Sequence, residues 1–208
     1  MAPKFRFDSS RVHNEVWSRT RGFTEQQKAA FTAGCARRTM GLYKAWEPSG
    51  EAFSILERGL QLVWCAAGGH AITPELASAA NCELEALLLD EDDDDWTGKS
   101  SVLDSAAIAV MRSIDVALGA EFQYMEWCVS QLLDSAYFIV NEASDSSDYV
   151  LDPEAWPFFA QVLSVLWQDL DALSGDCDLH REFLATYQSR VEQESAQMAS
   201  EARALLDA

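Results

Sequence analysis

The stretch FQYMEWCVSQLLDSAYFI, residues 122–139, sets Phe122, Met125, Val129, Leu132, Ala136 and Ile139 at spacings of 3, 4, 3, 4 and 3. That period places one apolar stripe along a helix, and a strand would need apolar residues at every second position. Upstream, Phe53, Leu56, Leu60, Val63 and Ala67 repeat the same 3, 4, 3, 4 pattern. Downstream, Trp156, Phe159, Leu163, Leu166, Leu170 and Leu173 form another stripe.

The rest of the chain extends the pattern in both directions. Thr24 with Gln27 fits a capping box that opens a helix from Glu25 to Trp46, carrying Phe31, Cys35, Leu42 and Tyr43 and stopped by Glu47-Pro48. Residues 9–20 read as a short first helix. Gly68-Gly69 ends the Phe53 helix. Thr73-Pro74 reads as an N-cap with proline in the first turn, for a helix bearing Leu76, Ala80, Leu84, Leu87 and Leu88. A further helix holds Val102, Leu103, Ile108, Met111, Ile114 and Leu118 and closes near Gly119. Asp152-Pro153 repeats the cap-and-proline signature, and Ser174-Gly175 ends that element. The last helix is expected from about Asp178 to Leu206, pinned by Phe183, Leu184, Tyr187, Val191, Met198 and Leu205. Period 2 is absent, as are Asn-Gly and Asp-Gly hairpin turns. The expectation is an all-α, single-domain bundle of about seven or eight mostly antiparallel helices. Residues 1–22 would be an N-terminal arm or short helix, 90–101 an acidic loop and 142–152 a polar loop.

Composition narrows the function. Of 208 residues 49% are apolar, enough for a core, yet no apolar run reaches the ~20 residues needed to cross a bilayer. The opening Met-Ala-Pro-Lys-Phe-Arg-Phe-Asp has no apolar run behind it, so it does not read as a secretory signal and a cytoplasmic location is expected. Cys35, Cys65, Cys82, Cys128 and Cys177 are odd in number and widely spaced, which favours buried free thiols over a disulfide framework. The net charge of −19 is uneven. Residues 1–58 carry ten Lys/Arg against six Asp/Glu, and residues 59–208 carry five against twenty-eight. The acidic part should repel nucleic acid and anionic membrane and attract a basic protein, although it also serves solubility.

The acidic excess peaks at Asp90, Glu91, Asp92, Asp93, Asp94 and Asp95, followed by Trp96. As a calcium loop the run fails, with Asp95 where glycine is needed and Ser101 where the bidentate glutamate belongs. As a magnesium-diphosphate site it lacks a second acidic motif. It remains a partner surface, with an aromatic anchor among carboxylates, or a solvated loop held open by repulsion. Asp145, Asp148 and Tyr149 form a second acidic stretch with an aromatic. Gly98-Lys99-Ser100 lacks the leading glycine of a phosphate loop, since Asp93 stands there. His13, His70 and His180 have no partners at metal-binding helical spacing, and His70 reads as a helix-end residue. The pair Arg37-Arg38 reads as exposed arginines, as one arginine pairing a buried carboxylate, or as a phosphate or partner contact.

From Phe23 to Trp64 the chain resembles a family of bacterial helical proteins catalogued as domain of unknown function 416. The likeness rests on Phe31, Cys35, Arg38 and Tyr43, then Ile55, Leu56, Leu60, Val63 and Trp64. It continues through Ser105-Ala106-Ala107 to Leu118 and from Glu154 to Leu170, with the Asp90–Asp95 run as a local departure. The resemblance implies an all-helical cytoplasmic bacterial protein and supplies no catalytic residues. The resulting expectation is a non-enzymatic binding protein without cofactor or metal. It would be an immunity protein or antitoxin that covers the active site of a basic toxin with Asp90–Trp96 and Asp145, Asp148 and Tyr149. The alternatives are a magnesium-dependent enzyme using Asp92–Asp95, and a scaffold or self-associating protein without a small-molecule site.

Overall fold

A computed structural model of the chain describes residues 9–47, 50–88, 98–144, 156–174 and 179–208. Among these residues every regular element is a helix: α1 (Ser9–Thr20), α2 (Glu25–Lys44), α3 (Glu51–Ala67), α4 (Pro74–Glu85), α5 (Gly98–Ala117), α6 (Phe122–Glu142), α7 (Pro157–Leu173) and α8 (Arg181–Leu206).

The helix ends follow local chemistry. Thr24 Oγ1 accepts from the Gln27 backbone N–H at 3.2 Å, and Gln27 Oε1 accepts from the Thr24 N–H at 2.7 Å, closing the capping box. Thr73 caps α4 by accepting from Leu76 N–H, with Pro74 in the first turn. Gly69 and Gly119 adopt φ of +84° and +87°. The N–H groups of His70 and Ala120 then reach back to the carbonyls of Cys65 and Asp115, each at 3.0 Å. Those bonds satisfy carbonyls that a helix end otherwise strands. The Gly119 turn folds α6 back along α5, where the Cys128 thiol donates to Ala109 O.

Helix α2 is the centre of the bundle, packed against α3, α5, α6, α7 and α8. It is buried on nearly every side, from Gln27 through Tyr43, rather than along one stripe. Ala29, Ala30, Ala33, Gly34, Ala36 and Gly41 make it thin enough for neighbours on all sides to approach. Ser195 Oγ donates to Arg37 O at 2.9 Å, and Ser113 Oγ to Thr32 O at 3.1 Å. A Cβ at Gly41 would stand 2.7 Å from the Ser195 carbonyl oxygen. Gly41→Ala should therefore lower stability by about 1–3 kcal/mol despite alanine's better helix propensity. At Gly22 a Cβ meets nothing within 4 Å, so Gly22→Ala should leave the urea midpoint almost unchanged.

Several sequence expectations need correction. Leu76 is 53% exposed, because α4 seats on α3 and α5 through Ala77 and Leu84 instead. Leu118 is 44% exposed, because it falls after the end of α5, in the turn that Gly119 closes. Helix α5 begins at Gly98, inside the span expected to be loop, and Lys99 in its first turn pairs with Glu47. Helix α2 ends at Lys44 rather than Trp46, and α8 begins at Arg181 rather than Asp178. Helix α7 begins at Pro157 after Trp156, while Asp152-Pro153 lies outside the described residues. Of the cysteines, Cys35 and Cys128 are buried, Cys65 is half-buried and Cys82 is exposed; all four are free. Cys177 lies outside the described residues. No described helix is long and apolar enough to cross a membrane.

Candidate functional site

Arg38 projects from the middle of α2 into the junction with α7 and α8, and none of its side chain is exposed. It forks onto Asp169 of α7: Nη1 donates to Oδ2 at 2.6 Å and Nη2 to Oδ1 at 3.0 Å. Nη2 also donates to Glu194 of α8. Arg190, one turn earlier on α8, donates to the second lobe of Asp169 at 2.7 Å and pairs with Glu194. Gly34 makes room for the cluster. A Cβ there would stand 2.8 Å from the Tyr187 hydroxyl and 2.9 Å from Asp169 Oδ2. Burial opposes the charge on Arg38, but the Asp169 carboxylate outweighs it and holds the guanidinium's pKa above its ordinary value. Burial, then the Asp169 charge, pushes the Tyr187 phenol well upward. Burial likewise raises the Cys35 thiol, and raises that of Cys128 to about 12, so both stay protonated and unreactive.

Of the readings open to Arg37-Arg38, pairing with a buried carboxylate is the one realised. Arg37 joins Glu57 of α3 to Glu192 of α8. Sequence reasoning did not single out Asp169. The signal was its phase, three residues after Leu166 and next to Leu170 on the buried face of α7.

Beside this cluster, the C-terminal end of α3 and the first turns of α8 bound a cleft of about 630 Å³. Its walls include Trp64 and Leu184, with Gln61, His70, Arg181 and Gln188 supplying polar groups. Trp64 meets Tyr187 edge to face, with ring centroids 6.1 Å apart, and Tyr187 stacks on Phe183. The cleft wall thus rests on the ring whose hydroxyl borders the Arg38–Asp169 pair. Polar atoms here are incompletely partnered: Trp64 Nε1, Arg38 Nε and the Tyr187 hydroxyl are buried without a well-formed hydrogen bond.

A second groove, of about 550 Å³, runs between α4 and the Gly119 turn, lined by Pro74, Ala77, Asn81, Glu85 and Leu118. Exposed Leu76 and the carboxylate of Glu75 lie on the same helix. The acidic run follows α4 directly in the chain.

The expected partner-binding residues Asp90, Glu91, Asp92, Asp93, Asp94, Asp95 and Trp96 lie outside the described residues, as do Asp145, Asp148 and Tyr149. His70 follows the glycine turn that ends α3, as its sequence context suggests. His13 Nε2 lies 3.1 Å from Ser130 Oγ. Among the described residues no three His, Cys, Asp or Glu side chains come together in a way that could hold a metal ion.

No family model matches the chain, and no curated protein matches it. Among solved structures, the chain is similar to a DUF416 family protein from Shewanella baltica OS155, with a TM-score of 0.70. The match covers 85% of this chain and 93% of that one at 14% sequence identity. This chain shares the all-helical fold of that DUF416 protein, the same family that Phe31, Cys35, Arg38 and Tyr43 of α2 and Ile55 to Trp64 of α3 resemble.

Proposed function

We propose that the chain is an acidic binding protein that docks a basic protein, as an immunity protein or antitoxin would in the cytoplasm. The observation that carries the reading is how the cations are disposed. At least nine of the thirteen described Lys and Arg residues sit in ion pairs with the chain's own carboxylates: Arg19, Lys28, Arg37, Arg38, Arg58, Lys99, Arg112, Arg190 and Arg203. Their field is therefore neutralised locally, and the net −19 is left to unpaired carboxylates. A protein that acts on an anionic substrate tends to be basic, and an acidic surface draws it in and can cover its cleft. The groove beside α4 supplies what charge alone lacks. Leu118 gives it an exposed apolar contact, Glu85 gives it an acidic edge, and the Asp90–Trp96 run follows α4 in the chain.

The test is co-purification from the source cell, identification of the bound protein, and titration of the purified pair. The expected partner is basic and binds one to one with affinity that falls as salt rises. Leu118→Asp should weaken it about tenfold or more, on the scale of losing an interface contact. Melting should change little, since Leu118 is 44% exposed and outside the core. An acidic partner, or equal affinity of the Leu118→Asp variant, would count against the proposal.

A further inference from the structure

The cleft between α3 and α8 lies apart from the α4 groove and differs from it in chemistry. Among the described residues Arg181 is the one Lys or Arg side chain that makes no ion pair, hydrogen bond or ring contact. In a chain of net charge −19, a cation left without a carboxylate stands out. It lies at the cleft, in the first turn of α8, whose N-terminus no side chain caps. The glycine turn that ends α3 sets His70 at the same cleft, with Gln61 and Gln188 as amide donors. Trp64 is 5% exposed, lines the cleft, and holds an indole N–H with no acceptor. Leu179, Leu184 and Ala185 complete an apolar lining. The volume falls within the range of small-molecule sites, and so does the pattern of apolar walls with a few convergent polar groups.

We propose that this cleft binds a small molecule made of a flat apolar body and an anionic head, a phosphate or a carboxylate. The body lies between the Trp64 indole and Leu184. Arg181 takes the head, because a planar guanidinium matches either oxyanion with two parallel hydrogen bonds. The N-terminus of α8, which no side chain caps, favours the same charge. The site needs no partner protein, so its fate is separate from that of the docking surface on α4.

Isothermal titration of the full chain with phenyl phosphate, benzoate, inorganic phosphate and phenol tests the proposal. Phenyl phosphate or benzoate should bind saturably at one site, at least tenfold more tightly than inorganic phosphate or phenol. The tighter of the two identifies the head group. Arg181→Gln should weaken that binding tenfold or more. Arg58→Gln changes net charge equally at an exposed site on α3 and should leave it unchanged. Absence of saturable binding by either ring-bearing anion would overturn the proposal. Equal binding by wild type and Arg181→Gln, or equal losses in the two variants, would overturn it as well.

Discussion

Asp169→Ala should destabilise the protein by about 3–5 kcal/mol, because it strands the fully buried Arg38 guanidinium without its bidentate partner. For a chain of this size each kcal/mol lowers Tm by roughly 2–4 °C. Arg190 loses its best acceptor in the same substitution, and Glu194 is left to serve both arginines. Asp169→Asn should cost nearly as much: it keeps the shape but removes the charge that offsets burial of Arg38. Replacing both partners, Arg38→Met with Asp169→Leu, should recover much of the loss, because no charge is then left buried and unpaired. Urea melts of the three variants with a shared m value decide the matter. A loss below about 1 kcal/mol for Asp169→Ala would mean that solvent reaches Arg38 and that the cluster is not the fixed junction of α2, α7 and α8 described above.

The ion pair also shows where sequence reading stops. Capping residues and helix-ending glycines act within a few positions, so Thr24 with Gln27, Thr73-Pro74, Gly68-Gly69 and Gly119 could be read directly, and the structure realises each. Apolar stripes gave α3, α6 and α7 their buried faces, because each of those helices keeps another side toward solvent. Helix α2 follows a different logic. Its alanines and glycines look unremarkable as a hydrophobic signal, yet small residues are what allow neighbours to surround it. Which side of α4 turns inward was equally hidden. Leu76 and Ala77 are adjacent in sequence, and tertiary packing, not hydrophobicity, seats the alanine. Arg38 and Asp169 are 131 residues apart, and no local pattern joins them. The candidate small-molecule cleft was invisible for the same reason: it is assembled from the end of α3 and the start of α8.

The second large effect concerns the proposed partner. Changing Asp92, Asp93, Asp94 and Asp95 together to Asn should slow association with a basic partner about tenfold at low ionic strength, since long-range attraction sets the encounter rate. Near physiological salt the Debye length shrinks to about 8 Å and the difference between variant and wild type should narrow. Trp96→Ala should act on the other rate. If its indole anchors the complex, dissociation should quicken by roughly thirtyfold, the equivalent of about 2 kcal/mol. Stopped-flow mixing at two salt concentrations separates the two effects. Unchanged rates for both variants would remove Asp90–Trp96 from the interface and leave the α4 groove as its centre.

We propose that this acidic chain neutralises a basic effector by covering the cleft where that effector acts. Titrating the purified partner's activity with this chain tests it most directly. The expected result is a linear loss of activity that is complete at one equivalent, together with recovery when high salt separates the pair. A saturated complex that keeps full activity would contradict it.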